Sequence, residues 1–186
     1  MKHINFQSDK SGFGVTSSAL LVAYGLSKMG KTLLSTIDYE DAIALSAVLE
    51  SETGITAVNE SLNLSKYGSR TNDETQYDYI VTETDRFVID AMNICVVENH
   101  YLTLKRAVRS MSNPTNLLVI VDDMGVLSLA DTVSVMRPTN TFLTKRNDNV
   151  ARAFDAGILD RAYKANETQV LVSQILEYHP EAVPAN

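Results

Sequence analysis

The segment GLSKMGKT, Gly25–Thr32, matches the phosphate-loop consensus G-x-x-x-x-G-K-[ST] at every position. Such a loop works only where it leaves a strand and opens a helix, so that backbone N–H groups and the helix N-terminus face the phosphates. Here the flanks run the other way. Thr16, Ser17 and Ser18 are N-cap candidates for a stretch, ALLVAY, that no Gly or Pro interrupts and that leads into Gly25. After Thr32, LLSTIDYED is a short apolar run ending in acids and reads as a strand. Gly25–Lys31 therefore closes a helix and enters a strand. Gly30 is expected just past the helix C-terminus with a positive φ, and Lys28 and Lys31 beside the negative end of the helix dipole.

The strand–loop–helix order that phosphate binding requires lies one helix earlier. KHINFQS at the N-terminus alternates as a strand does, and SDKSGFGVTSSALL supplies a glycine-containing loop that opens the helix just described. Two readings of that loop stand side by side. One is an ordinary connector with two glycines; the other is an anion-holding loop.

A chain of 186 residues is long enough for one α/β domain, expected over 1–178, with a Pro-containing tail at 179–186 expected to fray. The single cysteine, Cys95, lies in the apolar run NICVV and reads as core in a reduced, cytoplasmic protein. His3, His100 and His179 have no ligand spacing, which argues against a structural zinc site. No apolar stretch reaches the length of a membrane span and no signal peptide is expected before the first strand, so no membrane partner is expected. The net charge of −7 disfavours a constitutive nucleic-acid coat. Lys105, Arg106 and Arg109 on one expected helix, and Lys145, Arg146 and Arg152 further on, are ordinarily solvated faces.

Strands are expected at 2–7, 33–37, 77–83, 93–98, 116–122 and 141–145, several of them continuously apolar as in strands covered on both faces. Helices are expected at 16–29, 41–52, 55–66, 86–91, 100–111, 126–136, 147–156 and 166–178. The alternation predicts an α/β fold, a mostly parallel sheet with helices on both faces. Ligands of such folds sit at the C-terminal ends of the strands.

DKSGFGVTSSALLVAYGLSKMGKTLLSTIDYED, YDYIVTETD, NICVVENHYLTLKRAVRSM and FLTKRNDNVARAFDAGIL follow one another in an order that resembles the ParA/MinD group of deviant P-loop ATPases. The likeness covers most of the chain. It implies a P-loop NTPase fold, with ATP or ADP and Mg2+ as cofactors. By the resemblance, Lys10 is the signature lysine that reaches across a nucleotide-sandwich dimer, and Asp38 positions the attacking water. Ser11, Gly12, Phe13, Gly14, Val15, Thr16 and Ser17 form the nucleotide loop, with Thr16 and Glu83 at the metal.

The departures bear on activity. Ser11 replaces a glycine, Val15 stands where the family has its phosphate-contacting lysine, Glu83 replaces the Walker B aspartate, and Asp85 replaces a proline. An isopropyl group offers no charge to the phosphates or to the transition state. Glu83 is one methylene longer than aspartate and can still reach a cation through water. The resemblance thus implies a partition or positioning protein with a degenerate nucleotide site, a weak or inactive ATPase acting as a dimerising scaffold, with non-specific DNA open as a partner. The alternative is an active DNA-partition ATPase in which Lys10 or Lys31 compensates for Val15. A third reading, an unrelated doubly wound enzyme, finds no G-x-S-x-G and no complete G-x-G-x-x-G, because GFGVTS ends on Ser17.

Overall fold

A computed structural model describes residues 2–7, 14–69, 73–110 and 114–178. Lys10, Ser11, Gly12 and Phe13, and the tail 179–186, lie outside the described residues. The strands are β1 (Lys2–Gln7), β2 (Thr32–Thr36), β3 (Ile55–Ala57), β4 (Leu62–Lys66), β5 (Tyr79–Thr84), β6 (Met92–Glu98), β7 (Asn116–Val121) and β8 (Asn140–Lys145). The helices are α1 (Val15–Leu26), α2 (Tyr39–Ser46), α3 (Tyr101–Ser110), α4 (Leu129–Met136), α5 (Asp148–Asp155), α6 (Leu159–Tyr163) and α7 (Asn166–Glu177).

The strands form one eight-stranded sheet in the order β3-β4-β2-β5-β1-β6-β7-β8. Every neighbouring pair is parallel except β3 and β4. Alternation along the strands divides the core between the two faces. Ile4, Phe6, Leu34, Val81, Ile94, Val96 and Leu118 point to the face covered by α1, α2, α5, α6 and α7. Cys95, Val97, Leu117 and Val119 point to the face covered by α3 and α4. Strands buried on both sides explain the continuous apolar runs. Each fully buried Leu, Ile or Phe contributes about 1.5–3 kcal/mol.

Three expected helices differ. The segment 55–66 is the antiparallel hairpin β3–β4, turned by Asn59, whose side-chain oxygen accepts from the N–H groups of Ser61 and Leu62 at 2.8 Å each. The segment 86–91 carries no helix. There Asn93 of β6 holds the turn instead, donating to the carbonyls of Val88 and Ala91. Helix α2 stops at Ser46, where Ala47 takes a left-handed conformation with φ 51°. Helix α6 was not expected.

Gly30 has no positive φ. Its small size serves another purpose: a Cβ there would lie 2.6 Å from Asp78 Oδ2, and that oxygen accepts the Lys31 N–H at 2.9 Å. Gly25 is a close-approach glycine as well. A Cβ at Gly25 would lie 2.7 Å from Val172 Cγ1 and 3.1 Å from the Tyr163 ring, so α1 meets α6 and α7 with bare backbone. Gly25→Val is expected to lower stability by about 1–3 kcal/mol through overpacking. Urea denaturation checks this; an unchanged midpoint would contradict the close contact.

Candidate functional site

The site is built at the C-terminal ends of β1, β2 and β5. From β1 the chain lays β2 and β4 to one side and β6, β7 and β8 to the other, which places a topological switch at the central strand. Gly14 caps α1 in the left-handed region, φ 71° and ψ 15°, and, being glycine, makes no side-chain cap hydrogen bond to the first turn. The N-cap thus falls earlier than the Thr16–Ser18 cluster. Gly14 is suited to this position because it lacks a Cβ. The first N–H groups of α1 have no intrahelical acceptor, and they carry the positive end of the helix dipole.

Thr16 Oγ1 donates to Glu83 Oε1 at 2.7 Å. Thr36 Oγ1 donates to the other oxygen, Glu83 Oε2, and itself accepts the Asp38 N–H at 2.9 Å. The sheet register makes this possible, because Thr36 lies opposite Glu83 across the β2–β5 ladder. Glu83 is 2% exposed. Burial pushes its carboxyl above the usual range, the Thr36 and Thr16 hydroxyls oppose that, and the charges of Asp38 and Asp41 add to it. Asp38 is raised too, mainly by burial and then by Asp41.

Val15 begins α1 and is 3% exposed, packed into the main core. It also lines a cleft of about 290 Å3 with Gly14, Thr16, Ser17 and Asp41. A second cleft of about 290 Å3 opens on the other side of Gly14 and Ser17, bounded by Glu98, Ile120, Arg146, Asn147 and Phe154. Arg146 is held there by Asp122 at 3.1 Å and Glu98 at 3.7 Å. A third cleft, about 650 Å3, is acidic: Asp38, Glu40, Asp41 and Glu50 line it with Lys66.

The structure therefore gathers Gly14, Val15, Thr16, Ser17, Asp38 and Glu83. Lys31 is not among them. It follows the far end of α1, at the start of β2, where its carbonyl accepts from Asp78 and Tyr79. Thr36 and Asp41 are site residues that the motifs did not mark. Thr36 is legible only through the β2–β5 register, which no local pattern reveals.

Among the described residues no group of three or more His, Cys, Asp or Glu gathers as a metal site. The Thr16 hydroxyl and the Glu83 carboxyl are nonetheless hard oxygen donors of the kind magnesium takes, and they share one small space. They fit an ion that arrives with a nucleotide and completes its coordination with phosphate and water. No helix among the described residues is long and apolar enough to cross a membrane.

The sequence matches no protein-family model, and no curated protein matches it. Solved structures do match. The MinC:MinD cell division protein complex of Aquifex aeolicus aligns with TM-score 0.70 at 18% identity, over 97% of this chain and 98% of that chain. A ParA family ATPase from Chlorobium tepidum TLS aligns with TM-score 0.67 at 14% identity, over 94% and 97%. The septum site-determining protein MinD of Pyrococcus horikoshii OT3, complexed with Mg-ADP, gives TM-score 0.67 at 14% identity, over 95% and 96%. The eight-stranded, mostly parallel sheet with helices on both faces is thus the ParA/MinD-like P-loop fold.

Proposed function

We propose that this protein is a ParA/MinD-like positioning or partition scaffold that binds ATP or ADP weakly and hydrolyses ATP very slowly. The observation that carries the reading is the head of α1: a helix start on left-handed Gly14, which has no side chain to cap it, with Thr16 set on Glu83 and apolar Val15 between them. The N–H groups of Val15, Thr16 and Ser17 would receive phosphate oxygens. The Thr16 hydroxyl and Glu83 would hold magnesium, which when bound neutralises phosphate charge. Asp38, at the end of β2, is the residue to orient water. Val15 contributes no charge at any stage, so the γ-phosphate lacks the point charge that active loops supply. In the competing reading as an active ATPase, Lys31 cannot compensate, because it stands beyond the opposite end of α1 from Gly14.

A thermal-shift titration with ATP and ADP, with and without magnesium, tests the reading. Ligand at tenfold its Kd adds about 1.4 kcal/mol, or roughly 3–6 °C in a chain of this size. Lys31→Ala is expected to leave that shift unchanged, and steady-state turnover to stay well below about 1 per second. No shift with any nucleotide, or a shift that disappears in Lys31→Ala with the fold intact, would refute the assignment.

The scaffold role also requires self-association. Lys10 and Phe13 are proposed to lie near the two-fold axis of a face-to-face homodimer. Lys10→Ala and Phe13→Asp are each expected to move the nucleotide-bound protein toward monomer in sedimentation velocity. A protein already monomeric at high concentration with nucleotide rules the dimer out.

A further inference from the structure

Helix α3 buries Thr103, Leu104 and Ala107, the last two packed with β6 and β7 side chains, and so its packing duty is accounted for. The rest of its surface is unusual for a chain of net charge −7. Lys105, Arg106 and Arg109 are all exposed, no acidic residue occurs within Tyr101–Ser110, and none of the three cations makes an ion pair among the described residues. Lys28, Lys164 and Arg146 each sit on a carboxylate, whereas Lys66, Arg152 and Arg161, like the α3 cations, have no ion pair among the described residues. What sets α3 apart is that its cations share one face with exposed apolar side chains.

Apolar side chains are interleaved with these charges. Tyr101 is 58% and Leu102 65% exposed, and Val108 is also exposed. Helical spacing sorts them into two adjoining rows, Tyr101–Lys105–Val108 and Leu102–Arg106–Arg109. Lys105 Nζ stands 5.9 Å from the Tyr101 ring centroid, within cation–π reach. Helix α4, packed beside α3, exposes Val135 and also Asp131, and Arg137 follows its last residue. The face offers cations for carboxylates and apolar surface for aliphatic side chains. A solvated face needs the first but not the second.

We propose that the exposed face of α3 is a docking site for an acidic, amphipathic segment of a partner protein, which lays an apolar row on Leu102 and Val108 and carboxylates on Lys105, Arg106 and Arg109. Charge complementarity selects this occupant. A nucleic acid would meet the same cations but would be repelled by the rest of an acidic surface, and it has no use for Leu102. The proposal does not depend on the nucleotide reading above.

The full chain is titrated by fluorescence anisotropy against four probes. They are a labelled Glu/Leu/Ala peptide of about 18 residues, or five helical turns, its Gln-for-Glu counterpart, a labelled duplex of about 20 base pairs, and anionic vesicles. The acidic peptide is expected to bind with Kd on the order of 10 μM at low salt and more weakly as salt rises. The Gln peptide should bind about tenfold more weakly, as should the acidic peptide to the K105E/R106E/R109E variant, whose fold is checked by circular dichroism. Leu102→Ser should cost about threefold, which separates an apolar seat from simple charge attraction. The proposal is overturned if the acidic peptide does not bind, if the triple variant or the Gln peptide binds equally well, or if Leu102→Ser has no effect. Tighter binding of the duplex or the vesicles through the same residues would overturn it too, and would assign the face to that ligand.

Discussion

Replacing Val15 by lysine is expected to tighten ATP binding by about 10- to 100-fold, the equivalent of one charge-assisted hydrogen bond worth about 1.5–3 kcal/mol. Val15 heads α1 and lines the cleft beside Gly14, Thr16 and Ser17, so a lysine there has an open direction in which to extend. In the proposed reading it would bring a point charge to phosphates that the backbone N–H groups and the Thr16 hydroxyl would otherwise meet. The same change removes an isopropyl group that is packed in the core, and ligand-free stability should fall by about 1–3 kcal/mol. Calorimetric titration with ATP and thermal denaturation without it read the two effects separately. A folded Val15→Lys protein with unchanged ATP affinity would remove the phosphates from this cleft. Turnover need not follow affinity, because Glu83 stays in place of the usual aspartate.

Glu83→Ala is expected to cost about 2–4 kcal/mol, from a cavity and from the Thr16 and Thr36 hydroxyls that lose their acceptor. The isosteric Glu83→Gln separates shape from charge. Burial raises the carboxyl of Glu83 in the folded state above its ordinary value of 4.5, so the native protein holds this proton more tightly than the unfolded chain. The stability linked to that proton is complete below 4.5 and is lost as pH rises through the folded value. The unmodified protein should therefore lose ground relative to Glu83→Gln as pH climbs. Asp73, Asp122, Asp131 and Asp160, whose carboxyls are held below their ordinary range, act in the opposite sense but equally in both proteins. Urea midpoints at intervals from about pH 4 to 8 give the comparison. A constant difference across that range would show that Glu83 keeps its ordinary acidity.

What the sequence made legible was set by how local each cause is. NLLVIV and NICVV read as strands because burial on both faces leaves an unbroken apolar run. The reversed flanks of GLSKMGKT disqualified it, and the structure agrees, with Lys31 remote from Gly14. The hairpin β3–β4 was misread because Ile55, Val58 and Leu62 fall at helix-like intervals, while the Asn59 turn that breaks them acts through a side chain. The end of α2 at Ala47 could not be read, since a non-glycine residue adopts the left-handed conformation there. Gly30 looked like a helix stop, but what demands it is Asp78, a residue far along the chain. Thr36 escaped for the same reason: its role exists only once β2 and β5 are in register.

The first strand of the chain is the centre of the sheet, and this governs how the molecule is made. Lys2 pairs with Tyr79 and Ile4 with Met92, so neither edge of β1 can close until β5 and β6 have left the ribosome. Until then the growing chain offers two unsatisfied edges on a strand that carries Ile4 and Phe6, with α1 already able to cover one face but nothing able to cover the flanks. Pairings this distant make folding slow and leave the half-made chain prone to pair with its neighbours. A protein of this topology relies on late-arriving segments to close a strand made well before them, and its yield in the cell depends on what shields β1 during that interval.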